Sequence, residues 1–360
     1  MLLLRTSLAH KGGCSVENLE FLKTLSAAIA PSGREGAVSE LVEKAITPFC
    51  DEIRTDKVGN LIAVIRPERA ENAKKIMISA HMDEVGFMVK GIDGDGRVRI
   101  LPLGRYDSRV LSGRKVSFLS GVAGLAASKA IHLQSRAEHG VPVPMDKIYI
   151  ELGAKDKTET EAHVSLGDFG TFAPKFVRLG KDRVAGKALG GRAGVLLLTE
   201  LVKKVKQMKD AGALAAEYDF VFSVKREIGG REFAITTAAY TLAPDMAIVI
   251  DSVPTADFAD ETQVKCGGGA VLVPADAQTI YDRQLFAKTV SVCEKEGICH
   301  QYHKLVARVG NEAGSVHKSG VGVPTMTVGL AVRNLHSSAE IVSLADMEAA
   351  SALLSACLTM

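Results

Sequence analysis

The sequence lacks an excess of charge of either sign: 44 Lys and Arg face 42 Asp and Glu, a formal balance of +2. Nothing in that total recruits a nucleic acid or an anionic membrane. It also lacks a cysteine framework. Its six cysteines (Cys14, Cys50, Cys266, Cys293, Cys299, Cys357) are scattered without a CxxC pair, as expected for reduced thiols in a cytosol. Long apolar runs are missing too. No stretch approaches the ~18 apolar residues of a membrane span. The opening Met1 to Leu4 is cut by Arg5 and then by His10-Lys11-Gly12-Gly13, well short of the roughly 7 to 15 apolar residues of a signal core. A cytoplasmic chain is therefore expected. Internal repeats and low-complexity segments are also absent.

What is present is 47% hydrophobic and 24% charged residues with 34 Gly in 360 residues, the composition of a globular protein. The length exceeds one ordinary domain of ~150 residues, so two domains, or one with an insertion, are expected. Two helical patterns fill Val16 to Pro48 around Ala30-Pro31-Ser32-Gly33, and Ser32 with Glu35 has the spacing of a capping box opening the second. Strand-like runs follow at Glu52 to Thr55, Leu61 to Ile65 and Lys75 to Ala80. Between Phe87 and Lys181 the runs Val98 to Leu101, Lys115 to Leu119, Ile148 to Leu152 and Thr171 to Val177 are broken by turns such as Asp93-Gly94-Asp95-Gly96. This block reads as an all-β, barrel-like insertion (87–181) in an α/β domain made of 1–86 and 182–360. After it a helix from Arg192 to Met208 carries a broad apolar stripe, and Tyr218 to Val224, Glu232 to Tyr240, Met246 to Ile250, Tyr281 to Glu296 and Pro324 to Val332 alternate strand and helix. Such alternation predicts a mostly parallel sheet flanked by helices.

In an open α/β sheet the binding crevice lies beyond the carboxyl ends of the strands. Four predicted strands run into residues of metal-ligand type. Lys75 to Ala80 leads into His81-Met82-Asp83-Glu84, Tyr218 to Val224 into Lys225-Arg226-Glu227, Met246 to Ile250 into Asp251, and Pro324 to Val332 towards His336. Two imidazoles with two carboxylates suit zinc, cobalt or manganese better than a hard cation. Asp83 is placed to accept the second N–H of a ligating histidine.

With these motifs the chain resembles the tetrahedral (TET) aminopeptidases, also called glutamyl or deblocking aminopeptidases and at times labelled endoglucanases. The resemblance runs through Ala30-Pro31-Ser32-Gly33-Arg34-Glu35, Asp56-Lys57-Val58-Gly59-Asn60-Leu61, Ala80-His81-Met82-Asp83-Glu84-Val85-Gly86-Phe87, Gly186-Lys187-Ala188-Leu189, Arg192-Ala193-Gly194, Glu227-Ile228-Gly229, Ile250-Asp251, Ala313-Gly314-Ser315-Val316-His317 and Arg333-Asn334-Leu335-His336-Ser337. It implies a zinc-peptidase-like α/β domain with an inserted dimerisation domain, hydrolysis of N-terminal residues from peptides, and homo-oligomers built from dimers into dodecamers. By position, His81 and Asp251 match the outer ligands of one divalent ion, Glu227 and His336 those of the other, and Asp83 the carboxylate that orients the first histidine.

Two departures fall on that chemistry. The family's metal-bridging aspartate is Gly190, followed by Gly191, and its general-base glutamate is Arg226. Relative to the family, two negative charges are lost and one positive charge is gained. A guanidinium has no lone pair to offer a metal or a proton. Hydrolysis is accordingly expected to be impaired or lost and metal binding weak or absent, the rival reading being a non-catalytic peptide-binding or assembly subunit. Two arrangements remain open. Arg226, alone or aided by Lys225, neutralises Asp83, Glu84, Glu227 and Asp251 in place of metal, or Arg226 points to solvent and another donor such as Glu312 completes a metal site. Other groups carry blander expectations: Gly267-Gly268-Gly269 and Gly229-Gly230 as turns, Cys293, Cys299, His300 and His303 as ordinary helix-to-strand residues, His317 as a substrate contact or a structural hydrogen bond, and Lys203-Lys204 and Lys206 to Lys209 as a solvated helix face.

Overall fold

A computed structural model describes residues 15–69, 72–229, 234–255, 264–303 and 310–359. The apolar run at Met1 to Leu4, Cys14, Gly230 and the start of the helix expected from Glu232 lie outside the described residues.

In chain order the elements are α1 (Val16–Ala27), α2 (Gly36–Ile46), β1 (Glu52–Thr55), β2 (Leu61–Ile65), β3 (Lys75–His81), β4 (Gly86–Ile92), β5 (Val98–Leu103), α3 (Ser108–Leu111), β6 (Lys115–Phe118), β7 (Ala123–Ala127), β8 (Tyr149–Glu151), α4 (Lys157–Glu161), β9 (Phe169–Phe172), β10 (Phe176–Leu179), β11 (Arg183–Gly186), α5 (Leu189–Asp210), β12 (Glu217–Ser223), α6 (Ile235–Leu242), β13 (Met246–Pro254), β14 (Ala270–Val273), α7 (Arg283–Glu296), β15 (His300–Tyr302), α8 (Ala313–His317), β16 (Thr325–Val332), β17 (Glu340–Ser343) and α9 (Leu344–Cys357).

Eight strands form one sheet in the order β1-β2-β12-β3-β13-β16-β14-β15. Its centre, β12-β3-β13-β16, is parallel throughout, whereas the β1-β2, β2-β12 and β16-β14 pairings are antiparallel. The sheet is therefore mixed, with parallel pairing concentrated at its middle. Alternation sends successive side chains to opposite faces. Leu61, Ala63, Ile65, Phe220 and Phe222 join the large core under α1, α2, α5 and α9, while Ile62, Val64, Met77 and Val221 pack against α6 and Val316 of α8. A sheet buried on both faces explains why its central strands read as continuous apolar runs.

The inserted block closes into a six-stranded antiparallel barrel, β4-β5-β8-β7-β6-β9. Its core centres on Phe87 and Phe118, ring centroids 5.4 Å apart and nearly perpendicular, with Val98, Ile100, Val116 and Ile150. Gly170 makes room for this pair, since a Cβ there would stand 2.5 Å from Phe87 Cζ. The single strand expected over Thr171 to Val177 is two. β9 closes the barrel, and after Ala173 to Lys175 the chain enters β10, which pairs with β11 in a separate three-stranded sheet.

The expected capping box at Ser32 and Glu35 does not form. Glu35 is itself the N-cap of α2 and makes no side-chain cap bond. Ser32 donates its hydroxyl to Asp83 instead, and Glu35 accepts the N–H groups of Gly33 (2.7 Å) and Lys225 (2.9 Å). The α1–α2 connection is thus spent on the site rather than on the helix. Among the described residues no helix is long and apolar enough to cross a membrane.

Candidate active site

Because β12, β3 and β13 are adjacent and parallel, their carboxyl ends share one edge of the sheet. His81 closes β3 opposite Ser223 of β12, and Arg226 and Glu227 follow β12 within four residues. Asp251 lies inside β13 rather than beyond it, because that strand continues to Pro254. His336 follows β16 on the far side. The four ligand-type positions and Arg226 therefore converge from four parallel strands, although up to 255 residues separate His81 from His336 along the chain.

Asp83 organises the centre. Its Oδ1 stands 3.2 Å from Nδ1 of His81 and accepts the N–H of Arg226 at 3.1 Å, while Oδ2 accepts the N–H of Glu227 at 2.8 Å and the Ser32 hydroxyl. A carboxylate only accepts, so Nδ1 of His81 carries the proton and Nε2 is turned towards Asp251 Oδ1, 3.7 Å away. With Glu35 holding Lys225, three successive backbone N–H groups are taken by two carboxylates. They secure a turn in which Lys225 adopts φ +59°, a left-handed conformation costing an L-residue about 1–2 kcal/mol. Ala188 (φ +59°) and His336 (φ +62°) line a small cavity beside Asp83 and Glu227, and strained backbone of this kind gathers at functional sites.

Arg226 turns inward, with its side chain 10% exposed. Asp251 Oδ2 accepts from its Nε at 3.3 Å and its Nη2 at 2.9 Å, and Glu227 Oε2 accepts from Nη1 at 3.3 Å. His336 Nε2 approaches the same Glu227 oxygen at 3.2 Å, close enough to pair charges but out of line for a hydrogen bond. Burial opposes every charge here. For Glu227 the guanidinium and His336 overcome it and hold the carboxyl far below the usual carboxylate range. For His81, Asp83 overcomes it, and the imidazole is pushed up to about 9. His336 is raised in the same sense, burial being outweighed by Glu227. Two expectations are corrected. Lys225 takes no part in the neutralisation, because its Nζ donates to the Val58 carbonyl at 2.9 Å. The arrangement with Arg226 in solvent is excluded by its burial among the acids.

Glu84 also departs from expectation, since its partners are not Arg226 but two buried cations. Lys187 Nζ donates to its two oxygens at 2.6 and 2.8 Å, and Arg192 Nη2 to one at 3.3 Å. Thr171 of the barrel adds a hydroxyl donated at 3.1 Å, and the Ala30 N–H donates at 2.9 Å. Lys187 and Arg192 are fully buried, and their roles escaped sequence reasoning, although cations interrupting the apolar start of α5 signal a buried partner. Glu340 was missed as well. Its carboxylate accepts the N–H of Gly190 at 2.7 Å and of His336 at 2.7 Å, and burial pushes it up to about 7.

Glu312 bonds Ser223 Oγ at 2.8 Å, and its Oε1 has no hydrogen-bond partner. His317 Nδ1 meets the Val323 carbonyl at 3.3 Å, the structural role. Two of the three N–H groups of Gly267-Gly268-Gly269 go to Asp346, at 2.7 Å each from Gly267 and Gly269, as a turn requires. Cys299 and His300 contact backbone carbonyls.

Residues 59–353 match the family model of the M42 glutamyl aminopeptidases. The chain belongs to the M42 family. The lysyl aminopeptidase of Pyrococcus furiosus is 28% identical over 91% of this chain and 93% of its own. The solved TET aminopeptidase of the marine sediment archaeon Thaumarchaeota archaeon SCGC AB-539-E09 superposes with a TM-score of 0.88 at 28% identity, covering 95% of this chain and 96% of that one. The TET1 peptidase of Pyrococcus horikoshii, described as assembling into a tetrahedron or a large octahedral shell, gives 0.81 at 29% identity over 94% and 98%.

M42 membership implies dependence on divalent metal, so the donor set must be tested against it. His81 Nε2 is a buried nitrogen without a hydrogen-bond partner and fits a ligand. His336 Nε2 is unpartnered in the same way, but the carboxylates do not fit. Asp251 and Glu227 are both engaged by the Arg226 guanidinium, Gly190 has no side chain to offer, and among the described residues no three His, Cys, Asp or Glu side chains form a group that could hold a metal ion. Gly191 leaves no space for an acid there either, because a Cβ would stand 2.7 Å from the His81 ring.

Proposed function

We propose that this chain is an M42-type aminopeptidase protein in which hydrolysis is impaired or lost. Its crevice serves as a non-catalytic binding site for peptide N-terminal segments, within a cytoplasmic homo-oligomer built through the inserted block at 87–181. The observation that carries the reading is the guanidinium of Arg226 held between Asp251 and Glu227. In the family, metal ions would supply positive charge between these acids and activate water. Here one fixed cation and two imidazoles raised towards their charged forms face Asp83, Asp251 and Glu227. Opposite charges are thereby paired inside the protein, where an uncompensated carboxylate costs several kcal/mol. The same guanidinium stands at the general-base position and accepts no proton. Loss of a general base alone lowers rates about 10²- to 10⁴-fold. Zinc, cobalt and manganese are accordingly proposed to bind weakly or not at all.

The test is the purified full chain incubated with each of these metals and assayed on aminoacyl chromogenic substrates and short peptides beside an active M42 enzyme. No release above background is expected, together with saturable binding of labelled peptides. Turnover at the rate of the active enzyme overturns the proposal. The paired substitution Gly190→Asp with Arg226→Glu, assayed for bound metal, separates a missing ligand set from other causes of inactivity.

A further inference from the structure

The barrel does more than accompany the α/β domain. Beyond β5 its chain returns to the crevice, and the Arg105 carbonyl stands 2.6 Å from Nδ1 of His336. A carbonyl only accepts, so this contact places a proton on Nδ1 and turns Nε2 towards Glu227. The preceding residue, Gly104, has φ +90°, and a Cβ on it would come within 2.8 Å of Val85 Cγ1 and 3.4 Å of both Cβ and O of Glu227. Glycine is thus required twice over, for its backbone angle and for its contact beneath Glu227. The following residue anchors the segment: Tyr106 donates its hydroxyl to the Gly86 carbonyl at 2.8 Å and sets its ring against Phe172 at 6.1 Å.

We propose that the barrel segment Gly104-Arg105-Tyr106 is the positioning element for the His336–Glu227 half of the site. It acts through the backbone carbonyl of Arg105, with Tyr106 as anchor. Three observations from different atoms agree on it: the carbonyl on His336, the Cβ-free approach under Glu227, and the tyrosine pinned to the first barrel strand. Half of the crevice then depends on where the barrel sits, and this segment carries the barrel's position to His336 and Glu227. The inference concerns the placing of His336 and holds whether or not peptides are hydrolysed.

The experiment uses the full chain labelled with ¹⁵N-histidine and reads the ring N–H resonances, with His336→Gln and His81→Gln identifying the signals. In the unmodified protein the Nδ1–H of His336 should be shifted downfield and protected from solvent exchange. Gly104→Ala should abolish that signal, and Tyr106→Phe should speed its exchange about fivefold, the factor that corresponds to one hydrogen bond of ordinary strength. Arg105→Ala, which keeps the carbonyl, should leave it unchanged. The Nδ1–H of His81, held by Asp83 outside the barrel, is the internal reference and should persist in all three. Should Gly104→Ala fail to fold, Tyr106→Phe decides the matter. An unaltered His336 signal in Tyr106→Phe, its loss in Arg105→Ala, or loss of the His81 signal alongside it overturns the proposal.

Discussion

Replacing Arg226 by alanine removes the cation on which the centre is built. Asp251 Oδ2 loses its contacts at 2.9 and 3.3 Å, and Glu227 loses the one at 3.3 Å, while both carboxylates remain at least nine-tenths buried. Breaking a buried pair from one side costs about 3–5 kcal/mol, because an uncompensated charge is left behind. His81 and His336 still face the two acids, so the lower end, about 3 kcal/mol, applies. With an unfolding entropy of about 2.1 cal/mol/K per residue, a 360-residue chain unfolding as one unit should melt about 4 °C lower. Thermal unfolding followed by circular dichroism at neutral pH measures this directly. Two further signatures separate the ion-pair account from simple loss of packing. Without the guanidinium the Glu227 carboxyl loses the largest of the charges that hold it down against burial, so its folded-state pKa rises and the deficit should shrink as pH falls. The vacated space, flanked by two carboxylates and two imidazoles, should also let added zinc raise the melting temperature of the variant and not that of the parent. A variant as stable as the parent, or equal stabilisation of both by zinc, would refute the reasoning.

Gly191→Ala should destabilise the protein by about 1–3 kcal/mol despite alanine's better helix propensity, because the new Cβ would stand 2.7 Å from a His81 ring held in place by Asp83. A lower urea midpoint at unchanged slope is the expected result, and an unchanged midpoint would count against the packing described. The stability profile should be skewed to acid. Burial raises Glu312 and Glu340 to about 7 and Asp219 to about 6, so the folded state binds more protons than the unfolded chain across that range. His81, raised to about 9 by Asp83 against its burial, continues the same trend above its unfolded value. Unfolding free energy should therefore fall steadily from about pH 5 to about pH 8. Lys187, lowered to about 8 by burial, opposes the trend only above that. Urea titrations across this range test the sign, and a flat or rising profile would contradict it.

Much of the site was legible because it lies in short motifs. His81-Met82-Asp83, Arg226-Glu227 and Asp251 are local signals at the ends of apolar runs, and parallel pairing of β12, β3 and β13 is enough to gather them. That Gly190 and Arg226 stand where the resemblance implies acids is likewise visible residue by residue. The errors came where a local rule competed with a distant partner. Ser32 and Glu35 have capping-box spacing, yet Ser32 bonds Asp83, 51 residues on, and Glu35 bonds Lys225, 190 residues on. Charged hydrogen bonds of that kind are worth more than a helix cap.

The sequence by itself thus determined the kinds of element, the barrel-like insertion, the family, and the presence of a cation, Arg226, among acidic motifs in a chain of formal charge +2. Only the tertiary structure decided what that cation does. It turned Arg226 inward on Asp251 and Glu227, left Glu84 to Lys187 and Arg192, and brought a barrel carbonyl onto His336. The physical reason is that a side chain's chemistry is fixed by its type, whereas its charge state and partners depend on burial and on neighbours that folding brings from elsewhere in the chain.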